Sequence, residues 1–394
     1  MRWLGLEWDA GPAKDDGRGP YFQSRRQEIY RKHLIALVSG DRAYTDDEGA
    51  VRFRVPEADI VIEDKICGTQ TVNLVEQGSK RWDTEAKQNV AANPDLVIGR
   101  ADGTFLFHFV NVVDDIEMDV SHVIRGEDHL ANTPKHAALF DALGYARPEF
   151  AHIPLILNKD GSKMSKRDEG ASVDGYIRQA FSSDAVRNYL CLLGWSPKDD
   201  REKMEIEEVV ALFDYDHLNR SNAKFDMEKC LWLNSQYLVE KPADDFVATA
   251  KTWMAANHCD PGVPDSEVEA ALRVMQPKIK HVPEVKQHFP KFFDSLPIEP
   301  AAKEMVAKNA DARAHLECIQ KHVSGVSSWD EDAISAALNA AAMEIGIKKG
   351  KFMFALRVVS TGASQGTDLL PTLVVIGKER LLKRFHQRLP EIFG

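Results

Sequence analysis

The sequence predicts an α/β region that gives way to an all-α region, and three observations carry that expectation. Strand and helix signals alternate from Asn111 to Gly170, short strands of two-residue period fill the stretch from about Ala43 to Val110, and beyond Val173 the pattern is almost wholly helical. Alternation of strand and helix argues for a parallel sheet with covering helices. The chain has 394 residues, too long for one compact core, so about two to four domains are expected.

Taken in order, residues 1–40 read as a loop followed by a helix. Gly17-Arg18-Gly19-Pro20 breaks the chain, and Ser24 opens a run that puts Ile29, Leu34 and Leu37 on one face. Val51, Phe53 and Val55 alternate with Arg52 and Arg54, and Ile60–Ile62 and Phe105–Phe109 read as further strands. Between them Glu76–Asn93 is polar and lacks periodicity, so it reads as a surface insertion. Val120–Ile124, the helix around Ala137–Leu143 and Ile153–Leu157 make the alternating part. Ala185–Leu193 is an apolar helix closed by Gly194, and Ser266-x-x-Glu269 reads as a capping box opening a helix over Val268–Met275. No internal repeat or low-complexity tract interrupts this order.

Composition excludes some classes without choosing a function. No run of about 20 apolar residues occurs, which leaves no membrane-spanning helix. The N-terminus lacks the layout of a signal peptide. The five cysteines are scattered, so neither a disulfide framework nor a C-x-x-C metal site is expected, and a cytoplasmic location fits. A net charge of −11 argues against nucleic acid in bulk. Bulk charge says little about one face, however, and Lys348-Lys349-Gly350-Lys351 and the four cations from Lys378 to Arg384 are local basic clusters. Each cluster read alone is a solvated helix end.

The sharpest chemical signal is Lys163-Met164-Ser165-Lys166-Arg167, which follows the apolar run His152–Leu157 and the turn Asn158-Lys159-Asp160-Gly161. Two lysines three apart on a loop can bring two ammonium groups onto a triphosphate. They would stabilise charge on departing pyrophosphate when a carboxylate attacks the α-phosphorus. Strand, tight turn and K-M-S-K-R together resemble the second signature of class I aminoacyl-tRNA synthetases. Val123-Ile124-Arg125-Gly126-Glu127-Asp128-His129, preceded by Asn111-Val112-Val113-Asp114-Asp115, narrows the resemblance to glutamyl-tRNA synthetases of bacterial type. The likeness continues through Leu4-Gly5-Leu6, Gly19–Ser24, Asn188-Tyr189-Leu190, Leu192–Ser196, Phe225–Lys229, Leu231–Asn234, Lys349-Gly350-Lys351, Leu356-Arg357 to Thr361-Gly362 and Gly377–Arg380.

That resemblance implies ATP-dependent ligation of L-glutamate to tRNA(Glu) through glutamyl adenylate, with Mg2+ accompanying ATP. It implies that Arg125 grips the side-chain carboxylate of glutamate, as a planar guanidinium can do through two parallel hydrogen bonds. Phe107 and Asn111 join it in the amino-acid pocket. Lys166 and Lys163 are the catalytic pair, and ATP is held by these two with Ser165, His129, Leu155 and Ile156. Read without the resemblance, Arg125 is an ion-pair partner of Glu127 or Asp128, Asn111 a strand-end turn residue, and Leu155 and Ile156 core.

The implied architecture is an incomplete class I, Rossmann-like parallel-sheet catalytic domain, then helical domains. Residues 1–42 are the remnant of its first half, 43–95 an acceptor-stem insertion and 96–175 its second half; 176–239 and 240–394 are the helical stem-contact and anticodon-binding domains. The family's first signature, a His-x-Gly-His-like turn, and its first-strand arginine do not occur. The N-terminal segment is thus expected to be missing, and the chain as written to activate glutamate negligibly; His33 and His129 stand in the wrong context to replace the signature. Phe107 stands where the family has tyrosine. The zinc segment of some relatives is absent too, so no metal ligand and no structural zinc are expected. A monomer is expected. The rivals are a catalytically dead relic that only binds tRNA, a glutaminyl enzyme of the same class, and a shortened relative that glutamylates a tRNA base.

Overall fold

A computed structural model describes residues 1–84, 87–165, 167–294 and 296–394, with the backbone alone for Arg81 and Asp83. The chain divides into two compact units: residues 1–164 with 190–225, and residues 165–189 with 226–394.

The first unit carries the sheets. Gly68–Val72, Ile60–Asp64, Glu149–Ile153 and His122–Gly126 form a four-stranded sheet in that spatial order. The first two strands are antiparallel, and the other two neighbours are parallel. Ala43–Thr45, Val51–Phe53 and Leu96–Gly99 make a three-stranded antiparallel sheet. The Glu76–Asn93 stretch, read as a surface insertion without periodicity, holds the end of the short helix Leu74–Gly78 and a hairpin of Lys80–Asp83 with Gln88–Ala91. Its strands, Lys-Arg-Trp-Asp and Gln-Asn-Val-Ala, hold no apolar alternation, which is why periodicity misses it.

The helix Thr133–Leu143 packs on the four-stranded sheet, and the helix Phe107–Glu117 packs against that helix and against the strand Leu96–Gly99. Phe109, Val112 and Val113 from one and Ala137 to Phe140 from the other pack in one core with Ile60, Ile62 and Phe150. The expected strand over Phe105–Phe109 is therefore a correction. Only Phe105 keeps a β-bridge, to Gly99, and the helix begins at Phe107. Phe109, Val112, Val113 and Ile116 recur at helical spacing and are all buried, and that longer period wins over two alternations. The run Ile153–Leu157 is also two strands rather than one. Pro154 has no N–H to donate, so the sheet strand ends at Ile153, and Ile156–Leu157 pairs in parallel with Ala223–Lys224. The first helix starts at Gln27, later than Ser24, because Gln23–Arg25 forms a 3-10 turn.

The second unit is helical. Leu238, Phe246, Trp253, Leu272, Met275 and Phe289 share one core. Leu316, Ile334, Leu338, Leu356, Leu373 and Phe385 belong to another, built from the helices between Pro300 and Phe393. The capping box expected at Ser266 is not there: its helix runs from Asp265 to Met275 behind Pro264, so Ser266 and Glu269 lie inside it. Gly362 closes the helix Gly350–Thr361 with φ 79°, and a Cβ there would come within 2.9 Å of the Pro297 carbonyl, so only glycine fits. The cluster Lys378–Arg384 is no solvated helix end. Arg384 is buried, Lys378 Nζ donates to the Val326 carbonyl, and Arg380 pairs with Glu267.

Candidate active site

The candidate site is assembled where parallel strands end, the edge at which open α/β sheets bind ligands. His122–Gly126 and Glu149–Ile153 pair in register, setting Arg125 directly beside His152 near the carboxyl ends of both. Arg125 Nε donates to His152 Nε2 at 3.0 Å, and Arg125 Nη2 donates to Thr133 Oγ1 at 2.9 Å and to the His129 carbonyl at 3.4 Å. Neither Glu127 nor Asp128 pairs with it among the described residues. The local ion-pair reading of Arg125 is thereby corrected: Asp128 is taken by Lys163 Nζ at 2.9 Å. Arg125 Nη1 has no hydrogen-bond partner among the described residues.

His152 is itself held from behind. Its Nδ1 lies 2.6 Å from Asp64 Oδ2, and both side chains are fully buried. A guanidinium only donates, so the His152 Nε2 that faces Arg125 must carry the lone pair, and Nδ1–H must donate to Asp64. Asp64 Oδ1 accepts from the backbone amides of Ile66, Cys67 and His152. Burial pushes the Asp64 carboxyl upward, but the hydrogen bonds from His152 and these amides outweigh it and hold it below its ordinary value.

Phe107, Asn111 and Asp115 follow one another at four-residue spacing, on one face of the helix Phe107–Glu117. Asn111 is a helical residue, not the strand-end turn residue its sequence context suggested, and its side chain makes no hydrogen bond among the described residues. Burial, reinforced by the neighbouring Asp114 charge, raises the Asp115 carboxyl to about 6 against the opposing pull of Arg125. Phe107 is exposed, with its ring centroid 5.9 Å from that of His136 and 6.4 Å from that of His129. His108 Nδ1 and His136 Nε2 lie 3.1 Å apart. Burial first, then nearby cations, lowers these imidazoles to about 4 and about 3, so neither carries charge near neutrality. A cavity of about 340 Å3 lined by Ile62, Val72, Glu127, Asp128 and Thr133 opens on the same unit, large enough for a small ligand.

The signature loop is described in part. Lys163 bridges to Leu157 and is exposed. Lys166 lies outside the described residues. Ser165 opens the second unit, with its backbone N–H donating to Asp168. The Leu155 N–H donates to Asn222 Oδ1, its carbonyl accepts from Ala223, and the Ile156 carbonyl accepts from Met164. The exposed His129 side chain meets Asn132. Among the described residues, one group of three potential metal ligands draws together, Cys318, His322 and Glu344, and there Glu344 already accepts from Lys321 and His322.

Sequence reasoning missed Asp64, His152, Thr133 and Asp115. One signal was available for Asp64: Ile60–Asp64 alternates buried and exposed, which places this acid on the buried face with Ile60 and Ile62.

Comparison with known proteins matches residues 48–232 to the model of the class I tRNA synthetases (E and Q), catalytic domain, and residues 245–389 to an anticodon binding domain. A glutamate–tRNA ligase of Akkermansia muciniphila is 42% identical over 391 residues, spanning 98% of this chain and 85% of that protein. One from Methylacidiphilum infernorum is 41% identical over 98% of this chain and 84% of its own length. The crystal structure of glutamate-tRNA synthetase from Elizabethkingia anophelis superposes with a TM-score of 0.82 at 25% identity, covering 99% of this chain and 88% of that one.

Proposed function

We infer the working of this site from the premise that the chain belongs to the glutamate–tRNA ligases, a family of class I tRNA synthetases. The chain is an aminoacyl-tRNA synthetase that ligates glutamate to tRNA, and ATP use comes with the class. Identity at this level along nearly the whole chain lends nothing to the tRNA-binding relic, and the catalytic-domain match gives that rival no footing.

The residue roles are our proposal. Glutamate enters beside Arg125 and presents its side-chain carboxylate to the unspent Nη1 edge. That open edge, on an arginine with no ion pair among the described residues, is the single observation that carries the pocket assignment. A guanidinium already neutralised by a carboxylate would gain little from a second one. Asn111 offers an unengaged amide beside it. Phe107, in place of a tyrosine, contributes ring contact without a hydroxyl, so charge on Arg125 carries the choice of glutamate over glutamine.

Activation then joins the α-carboxylate of glutamate to the α-phosphorus of ATP and expels pyrophosphate. The ribose hydroxyl at the tRNA end takes the glutamyl group from the adenylate. Lys163 waits on Asp128 and exchanges it for phosphate oxygens, and Lys166 supplies the second ammonium. Ser165, His129 and the backbone of Leu155 and Ile156 complete the ATP contacts. Mg2+ arrives as part of the ATP substrate. The acceptor stem meets residues 43–95, residues 176–239 contact the stem, and the helices of 240–394 take the anticodon. That last region is helical, which favours the glutamyl over the β-barrel-bearing glutaminyl enzyme. Among the described residues no helix is long and apolar enough to cross a membrane; a cytoplasmic location and a monomeric state belong to the same proposal. The test is attachment of labelled glutamate to tRNA(Glu) with ATP. Charging is expected with glutamate and not with glutamine, and a chain that charged glutamine as well would overturn the pocket.

A further inference from the structure

We propose that Asp64 and His152 are positioning residues for glutamate selection: they fix the plane of the Arg125 guanidinium through an imidazole lone pair and so leave its charge for the substrate. The inference rests on the reading of Arg125 as the carboxylate grip. Three features of the geometry support it.

First, the hydrogen bonds run in one direction. The backbone amides of Ile66, Cys67 and His152 fix Asp64, Asp64 fixes the imidazole, and the imidazole Nε2 accepts from Arg125 Nε and lies 3.0 Å from Thr133 Oγ1, which itself accepts from Arg125 Nη2. Every link up to the guanidinium is buried, so the pair stays ordered without help from solvent. Second, the acceptor that touches Arg125 is a nitrogen lone pair. A carboxylate in that place would orient the guanidinium equally well, but it would cancel the charge that a glutamate side chain needs. Inserting histidine between acid and arginine separates orientation from neutralisation. This is the logic by which carboxylate–histidine pairs orient metal ligands, applied here to an arginine. Third, Thr133 and the His129 carbonyl hold Nη2 and complete the plane, so the only corner without a protein partner among the described residues is Nη1. The acid also sits where packing alone would want an apolar side chain, on the face shared by Ile60 and Ile62.

The test measures kcat and KM for glutamate and for ATP in tRNA charging, together with the thermal midpoint. His152→Phe keeps the volume and removes the acceptor. It should raise KM for glutamate about thirtyfold, the effect of one hydrogen bond to a charged group, with KM for ATP within about twofold. His152→Gln, whose amide oxygen can accept from Nε, should recover most of the loss. If His152→Phe does not fold, His152→Gln and Asp64→Asn carry the test, with Asp64→Asn the more impaired for glutamate. Arg125→Lys separates the two levels. An unchanged glutamate KM in Arg125→Lys would overturn the pocket reading itself. A raised KM there, with a folded His152→Phe unchanged for glutamate, would overturn this inference alone. Equal losses for glutamate and ATP in His152→Phe and His152→Gln would likewise reduce the pair to a structural role.

Discussion

Arg125 in the sheet-bearing unit is half-buried and Arg384 in the helical unit is buried, both without a carboxylate ion pair among the described residues, and they differ in how their donors are spent. Arg384 is 3% exposed and donates to the carbonyls of Lys291, Phe292, Asp294 and Ser360. Three of those carbonyls lie at or just beyond the end of the helix Val285–Phe293, where carbonyls lack intrahelical partners and the helix dipole favours a cation. Arg388 repeats the device on Val359 and Leu296. Burial, then the neighbouring Arg388 and Arg380, lowers Arg384 to about 10, and the carbonyls offset that cost. Arg125 is also pushed down by burial, yet its Nη1 stays unspent. An arginine whose two terminal nitrogens are both taken by carbonyls of its own chain holds the fold, and one with a terminal nitrogen left over is placed for something else.

The comparison breaks first at the helical end. Arg384→Met should leave four carbonyls unsatisfied and cost about 4 kcal/mol in urea unfolding, at about 1 kcal/mol for each orphaned group. A loss below about 1 kcal/mol would mean that water replaces the guanidinium there. The next effect sharpens the other side. Asp115 has its carboxyl raised to about 6, so the native state holds that proton more tightly than the unfolded chain, and ionisation opposes folding above that pH. The penalty is complete at alkaline pH and fades as pH falls toward the ordinary carboxylate range. Asp115→Asn should therefore stabilise the protein by about 1.5 kcal/mol at pH 8, allowing for its partial exposure, and by about half of that at pH 5. A gain independent of pH would remove the electrostatic explanation. The smallest effect on the fold belongs to Lys163, whose exposed ammonium pairs with Asp128. Lys163→Ala should leave the melting temperature unchanged and slow kcat about tenfold, less than loss of a preorganised donor; an unchanged kcat would take Lys163 out of the phosphate contacts.

The two arginines also mark how much could be read from residue order. The strand–helix alternation and the helical run beyond Val173 were legible because buried stripes repeat over several turns, whereas the helix Phe107–Glu117 was misread at its start because Phe105, Phe107 and Phe109 mimic a two-residue period. Arg125 and the lysine loop were legible through motifs that stand together in the chain. Asp64 was not, because its partner His152 is 88 residues away and their meeting depends on a parallel pairing that no local signal encodes. Arg384 was misread for a similar reason. In sequence it belongs to a basic run, and only the folded helices reveal the carbonyl ends that receive it. The hairpin Lys80–Asp83/Gln88–Ala91 escaped because its residues hold no apolar alternation.

The most direct test of the account is the glutamate dependence of tRNA charging by Arg125→Leu beside the unaltered protein, with thermal unfolding as control. Arg125→Leu should lower kcat/KM for glutamate at least about a hundredfold, because a carboxylate would face a pocket without its cation. The melting temperature should fall only modestly, since the change takes the Arg125 donor from the buried His152 Nε2 while Thr133 Oγ1 stays 3.0 Å from it. Charging of glutamate at the unaltered rate by a folded Arg125→Leu protein would contradict the account.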